Sequence, residues 1–73
     1  MKKDKIEKIE DKLSELLKNK SIDDYLDIIN NNQYLKKYDQ IMAKIDNGEY
    51  PTTYLKKITK NDLEHIIKYL DIL

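Results

Sequence analysis

The last segment of the chain, Thr59 to Leu73, constrains the fold more than any other part of the sequence. Its apolar residues recur at the i, i+3, i+4 and i+7 spacing that forms one face of an α-helix. These residues are Leu63, Ile66, Ile67 and Leu70. Thr59 and Asn61 each precede an acidic residue by three positions, which is the pattern of a helix-starting capping box. A helix with one apolar face needs other elements to cover that face, so the rest of the chain must supply them.

Three further segments have helical apolar spacing, and each is bounded by residues that start or stop helices. The first runs from about Lys3 to Lys18, and the second follows a capping box that begins at Ser21. The third runs from about Gln33 to Asp46 and ends at Gly48, which suits a left-handed position after a helix. A short helical turn over Tyr54 to Ile58 is expected before the last helix.

These segments predict one domain, residues 1–73, folded as a small all-α bundle of four antiparallel helices. A single glycine and a single proline leave few turn residues for a β-rich fold. The apolar positions expected to form the core are Ile6, Ile9, Leu13, Leu16, Ile22, Leu26, Ile29, Leu35, Ile41, Ile45, Leu55, Ile58, Leu63, Ile66, Ile67 and Leu70.

The sequence contains little that could support catalysis. It has no cysteine and no glycine-rich phosphate loop, and Ser21 is explained by its capping position. His65 is the sole histidine, and a metal site there would need further ligands, which the spacing of residues in the sequence does not identify. We therefore predict a protein that is not an enzyme and that uses no cofactor or metal.

Composition indicates where such a chain belongs. No apolar run approaches the roughly 18 residues that span a membrane, and the basic N-terminus is not followed by an apolar signal region. We therefore predict a cytoplasmic protein that does not insert into membranes. All basic residues are lysine and all aromatic residues are tyrosine, and isoleucine and asparagine are abundant. This usage is typical of AT-rich codons and points to a low-GC bacterium, phage or plasmid.

Six tyrosines in 73 residues favour protein binding, because exposed tyrosine is enriched at interfaces. The predicted partner-binding residues are Tyr34, Tyr38, Tyr50, Tyr54 and Tyr69. A second interpretation stays open, in which codon bias supplies tyrosine and each ring covers the core with its hydroxyl in water. Self-association into a homodimer also stays open, because a core this small gains stability from oligomerisation.

DNA binding is the alternative function. The segment from Tyr54 to Leu73 has the outline of a helix-turn-helix, with Lys56, Lys57 and Lys60 near the turn, where phosphates are contacted. The net charge is zero, however, and the chain has no arginine for two-pronged contacts with guanine.

The segment from Tyr34 to Leu73 also resembles a known family. A lysine-bearing helix ends in AKIDNGEYP, a short LKKI segment follows, and a Leu/Ile helix closes the segment. This arrangement is similar to the small immunity proteins encoded beside pediocin-like bacteriocins. The resemblance covers about half of the chain and implies a cytoplasmic, antiparallel four-helix bundle. Proteins of that family protect the producing cell by acting on the bacteriocin-occupied membrane receptor, and no functional residue is carried over.

Together these features predict a small non-enzymatic, protein-binding helical module with an inhibitory, immunity or regulatory role. A bacteriocin-immunity-like protein and a phage or mobile-element inhibitor, such as an anti-CRISPR protein, fit the size and composition equally well. The alternative is a helix-turn-helix transcriptional regulator. Its DNA-binding face would require an accessible last helix.

Overall fold

The structure is a computed structural model that describes residues 2–73, and its regular elements are all helical. The helices are α1 (Lys2–Leu16), α2 (Ile22–Asn30), α3 (Gln33–Asp46), the 3₁₀ helix η1 (Thr52–Lys57) and α4 (Lys60–Asp71). No β-strand occurs among these described residues. The predicted all-α bundle is therefore confirmed, and the expected short turn before the last helix is η1.

Side-chain caps start the helices where the sequence predicts them. Ser21 and Asp24 form a capping box at α2, and Thr59 and Asp62 form a second one at α4. The N-terminus of α3 is capped differently, because the Asn32 Oδ1 accepts hydrogen bonds from the backbone N–H groups of the second and third helical residues. These bonds satisfy backbone donors that the first turn of a helix leaves without partners.

Helix α3 is antiparallel to both α2 and α4. Tyr34 of α3 stacks on His65 of α4. Lys37, about one turn later in α3, places its Nζ 2.8 Å from the Oδ2 of Asp62, about one turn earlier in α4. On the other side of α3, the Tyr25 hydroxyl of α2 donates a 2.6 Å hydrogen bond to Asp39. The two-residue connection between α2 and α3 makes this pair a helical hairpin.

Helices α1 and α4, in contrast, run in the same direction. Lys5 Nζ lies 3.7 Å from Glu64 Oε1 near the beginning of both helices. Two turns further along each helix, Lys12 forms an ion pair with Asp71. Pairs that advance together in both helices define a parallel arrangement, so the bundle departs here from simple up-and-down order.

The core lies where α4 meets α1 and α3. Its buried apolar residues are Ile9, Leu13, Ile29, Leu35, Tyr38, Ile58, Leu63, Ile66 and Leu70. Six further positions expected in the core are only partly buried at its edge, namely Ile6, Leu16, Ile41, Ile45, Leu55 and Ile67. The apolar face predicted for the last helix is confirmed, because three of its four residues are fully inside.

The prediction for α2 is wrong at two positions. Ile22 and Leu26 were expected in the core, but their exposed fractions are 75% and 47%. Helix α2 instead turns Tyr25, Ile28 and Ile29 toward the core. The physical reason is that the apolar residues of α2 form one arc of about 160°, which is wider than the side that contacts α3, and the hydrogen bond from Tyr25 to α3 selects the part that faces inward.

Candidate functional site

The predicted tyrosine site is divided among separate places rather than forming one surface. Tyr50 and Tyr54 stack on each other at the end of the bundle that contains η1, with ring centroids 4.1 Å apart and planes 26° apart. A lysine lies beside each ring, because Lys44 Nζ is 5.3 Å from the Tyr50 centroid and Lys57 Nζ is 5.8 Å from the Tyr54 centroid. These contacts hold the irregular segment between α3 and α4 against the end of α3.

Tyr34 and Tyr69 contact other parts of the fold. The Tyr34 ring stacks on His65 of α4 at a centroid distance of 4.3 Å and an interplanar angle of 7°. The Tyr69 hydroxyl donates a 2.7 Å hydrogen bond to the backbone oxygen of Ile28 and so ties α4 to α2. Partial burial raises the pKa of the Tyr69 hydroxyl above its usual value. Both rings are half-buried, and each has a structural contact that accounts for its position.

Tyr38 does not lie on the surface, so its predicted contact with a partner is not supported. Its exposed fraction is 2%, and its hydroxyl donates a hydrogen bond to Glu10 of α1. Burial, followed by this hydrogen bond and the negative charge of Glu10, raises the pKa of Tyr38 well above its usual value. The hydrogen bond from Tyr25 to Asp39 is a second tyrosine–carboxylate contact, and burial is the main cause that raises the pKa of Tyr25. These contacts connect α1, α2 and α3.

The lysines of the DNA-binding alternative are exposed, and the helix beside them is buried only on the sides that face α1 and α3. Lys56 and Lys57 end η1, and Lys60 begins α4. Helix α4 is packed against α1 and α3, and its exposed acids Glu64 and Asp71 are engaged by lysines of α1. Acidic groups along the exposed side of a recognition helix repel phosphate, and η1 is a single short 3₁₀ helix rather than an α-helix.

One carboxylate in the core has a complete set of partners. Asp62 is 8% exposed, accepts a 2.9 Å hydrogen bond from the Thr59 backbone N–H, and pairs with Lys37. Burial alone would raise the pKa of Asp62, but the hydrogen bond and charge of Lys37 and the bonds from Thr59 together lower it. This arrangement explains the buried charge by capping and ion pairing, without any ligand.

The outer face of α2 carries apolar side chains that the fold does not cover. Ile22 and Leu26 lie one helical turn apart and are largely exposed. Asp23 and Asp27 lie beside them, also exposed and one turn apart. Over the residues that the structure describes, neither of these two aspartates forms an ion pair, whereas Asp24 is used in the cap. We call these four residues, Ile22, Asp23, Leu26 and Asp27, the α2 outer face.

The helical spacing of Ile22 and Leu26 predicted a core position for both residues, so this face was not expected from the sequence. The signal that could have identified it is the number of apolar residues in α2, which are Ile22, Tyr25, Leu26, Ile28 and Ile29. At about 100° per residue these five side chains span an arc of about 160°, and a helix at the edge of the bundle that packs mainly on α3 buries only part of that arc.

The described residues offer no metal-binding cluster and no membrane-spanning helix. Within residues 2–73, no cluster of three or more His, Cys, Asp or Glu side chains is arranged to hold a metal ion. In the same range, no helix combines the length and apolar character needed to cross a membrane. A scan against protein-family models and searches of curated proteins and of solved structures gave no match to this chain.

Proposed function

We propose that this chain is a small non-enzymatic protein that acts by binding another protein through the α2 outer face. The observation that carries the proposal is the exposure of Ile22 and Leu26 side by side on one helix. Full burial of one isoleucine or leucine side chain contributes about 1.5–3 kcal/mol relative to leaving it exposed. A partner that covers both side chains would therefore gain a substantial part of its binding free energy here.

The proposed role is that of an inhibitor, immunity protein or regulator in the cytoplasm. Such proteins act by occupying a surface of their target, and a rigid helical bundle can present one helix for that purpose without large rearrangement. Two such roles fit this proposal equally well. One is a bacteriocin-immunity-like function, and the other is inhibition by a phage or mobile-element protein, such as anti-CRISPR activity. The size and composition support both.

A DNA-binding regulator is the second candidate, and it is supported by the exposed lysines Lys56, Lys57 and Lys60. In this alternative, the lysines would contact phosphates from the end of the bundle that contains η1. The exposed side of α4 weighs against it, because Glu64 and Asp71 lie there and their negative charge would repel phosphate.

A capture experiment from lysate of the source cells, with and without nuclease, distinguishes these functions. The baits are the wild-type chain, the double variant Ile22→Asp/Leu26→Asp, and the triple variant Lys56→Gln/Lys57→Gln/Lys60→Gln. Protein binding predicts a stoichiometric, nuclease-resistant partner that the α2 variant loses and the lysine variant keeps. Nucleic acid recovered by the wild type and lost by the lysine variant would instead support the regulator and contradict our first proposal.

A further inference from the structure

We propose that the partner binds the α2 outer face through a cationic amphipathic α-helix. This inference rests on the protein-binding role proposed above for that face. Three properties of this face support that choice over other occupants. They are the spacing of its apolar pair, the unpaired charge beside that pair, and its small extent.

The apolar pair has the spacing of one ridge on a helix. Ile22 and Leu26 are four residues apart, so their side chains lie on one side of α2 about 6 Å apart along its axis. A second helix packs against such a ridge by inserting apolar residues of its own that recur every three or four positions. An amphipathic helix has this recurrence along one face.

The negative charge beside the apolar pair indicates a positively charged partner. Segment 21–31 contains three aspartates and no lysine. The helix dipole and the cap account for Asp23 and Asp24 near the N-terminus of α2, but Asp27 lies in the second turn and neither effect requires it. Asp23 and Asp27 border Ile22 and Leu26, so lysines or arginines at the edge of a docked apolar face would meet them.

The same charge disfavours nucleic acids and anionic lipid surfaces. Both present phosphate groups, and three aspartates near the contact would repel them. A cationic amphipathic helix of a protein, in contrast, can cover the apolar pair with its apolar face and place positive charges beside the aspartates.

A second copy of this chain is a poor occupant of the face. Helix α1 is the lysine-rich helix of the chain, but its apolar residues Ile9 and Leu13 are buried in its own core. A stable interface between two globular proteins commonly buries about 800 Å² on each partner, which is far more than two side chains supply. A single helix laid along α2 matches the extent of the face better.

The test uses the isotope-labelled full chain and a synthetic helical peptide of leucine and lysine, with leucines at i, i+3 and i+4 positions. Its charge-inverted counterpart replaces every lysine with glutamate. We expect the leucine–lysine peptide to shift backbone amide signals of residues 22–30 in NMR spectra and the counterpart to leave them unchanged. The affinity should also fall as the salt concentration rises.

Matched variants separate the two parts of the contact. Ile22→Ser/Leu26→Ser should weaken peptide binding by about tenfold or more, which corresponds to about 1.4 kcal/mol. Asp23→Asn/Asp27→Asn should weaken it about threefold to tenfold and reduce its dependence on salt. Asp11→Asn/Glu15→Gln removes the same charge from exposed positions of α1, and Ile72→Ser removes an exposed apolar residue elsewhere, so both should bind as the wild type does.

Several results would overturn the inference. One is equal binding of the two peptides, and another is signal shifts that map to the groove between Lys3, Ile6 and Leu55 instead of α2. Concentration-dependent self-association through α2 without peptide would identify a second copy as the occupant. If lysate capture depends on Ile22 and Leu26 but the leucine–lysine peptide does not bind, the partner chemistry is wrong and the protein-binding role stands. If capture does not depend on them, the proposed function itself is wrong.

Discussion

Helices α2 and α4 have similar sequence features but different surroundings. Each begins with a capping box and carries apolar residues at helical spacing. Helix α4 lies between α1 and α3, so Leu63, Ile66 and Leu70 are all buried. Helix α2 packs mainly on α3 and leaves Ile22 and Leu26 outside. Apolar spacing therefore predicts a helix, while the number of neighbouring helices decides how much of its apolar surface is buried.

The two capping boxes also differ in burial and in the lengths of their hydrogen bonds, with the tighter one at α4. At α4 the reciprocal bonds between Thr59 and Asp62 are 2.9 and 3.0 Å long, and the carboxylate is buried against Lys37. At α2 both bonds between Ser21 and Asp24 are 3.3 Å long and are exposed to water. The central helix is therefore anchored by shorter and less hydrated contacts than the helix at the edge.

The largest expected difference is in core packing. Leu63→Ala should lower the free energy of unfolding by about 2–5 kcal/mol, because it leaves a cavity among fully buried neighbours. Leu26→Ala should lower it by less than about 1 kcal/mol, because water already reaches that side chain. Urea denaturation followed by circular dichroism measures both.

If Leu63→Ala proves too unstable to fold, the milder Ile66→Val should still cost about 0.5–1.5 kcal/mol. If a truncation in α4 and Leu26→Ala lowered the free energy of unfolding equally, the contrast between the two helices would be wrong. That result would mean that α2 buries its apolar residues as deeply as α4 does.

A smaller difference is expected between the capping boxes. Asp62→Ala removes the acceptor of the Thr59 backbone N–H and the ion pair with Lys37, and should cost about 1–2 kcal/mol of unfolding free energy. Asp24→Ala removes only the exposed acceptor of the Ser21 backbone N–H and should cost about 0.5 kcal/mol. Denaturation curves at neutral pH compare the two, and a larger loss for Asp24→Ala would contradict the assignment of α4 as the better anchored helix.

The buried carboxylate of Asp62 should make the stability of the fold depend on pH in the acid range. Because the pKa of Asp62 is lower in the folded chain than its usual 3.8, the unfolded chain binds more protons as the pH falls through that range. The stability that Asp62 supplies is present above its unfolded pKa and is lost as the pH falls through its folded pKa. The stability advantage of the wild type over Asp62→Asn should therefore shrink from pH 6 toward pH 2.

A matched measurement removes the charged partner of Asp62. In a Lys37→Gln background, the effect of Asp62→Asn should change less with pH, because no cation is left to pair with the carboxylate. A constant difference between the wild type and Asp62→Asn across the acid range would show that the charge of Asp62 does not stabilise the fold.

The smallest effect on stability is expected at the α2 outer face itself. Ile22→Ser should change the unfolding free energy by no more than about 0.5 kcal/mol, because the side chain is mostly in water. The same variant should lose partner capture. A marked loss of stability with binding intact would reverse this expectation and assign Ile22 to the core.

Local features of the fold were predictable from the sequence, and contacts between distant segments were not. Ser21 and Thr59 identify helix starts because a capping box needs only four adjacent residues. The pair between Lys37 and Asp62 joins residues 25 positions apart, and nothing in the spacing of the lysines selects Lys37 for that role. The parallel course of α1 and α4 depends on how the whole chain packs, so helix periodicity alone could not reveal it.

The candidate site was missed for a related reason. Tyrosine content directed attention to residues such as Tyr38, whose hydroxyl found an acceptor in Glu10 and could therefore be buried. Ile22 and Leu26 were assigned to the core because a sequence does not state how many helices will surround a given one. The exposure of an apolar residue is a property of the packed bundle, not of its own helix.

The stacking of Tyr50 on Tyr54 has a consequence for spectroscopy. The chain has no tryptophan, so its near-ultraviolet absorption and fluorescence come from tyrosine alone. Two phenol chromophores 4.1 Å apart couple their electronic transitions, and the coupled pair should give a circular dichroism band that isolated tyrosines lack. That band would serve as a label-free optical probe for the ordering of the segment between α3 and α4, separate from the far-ultraviolet signal of the helices.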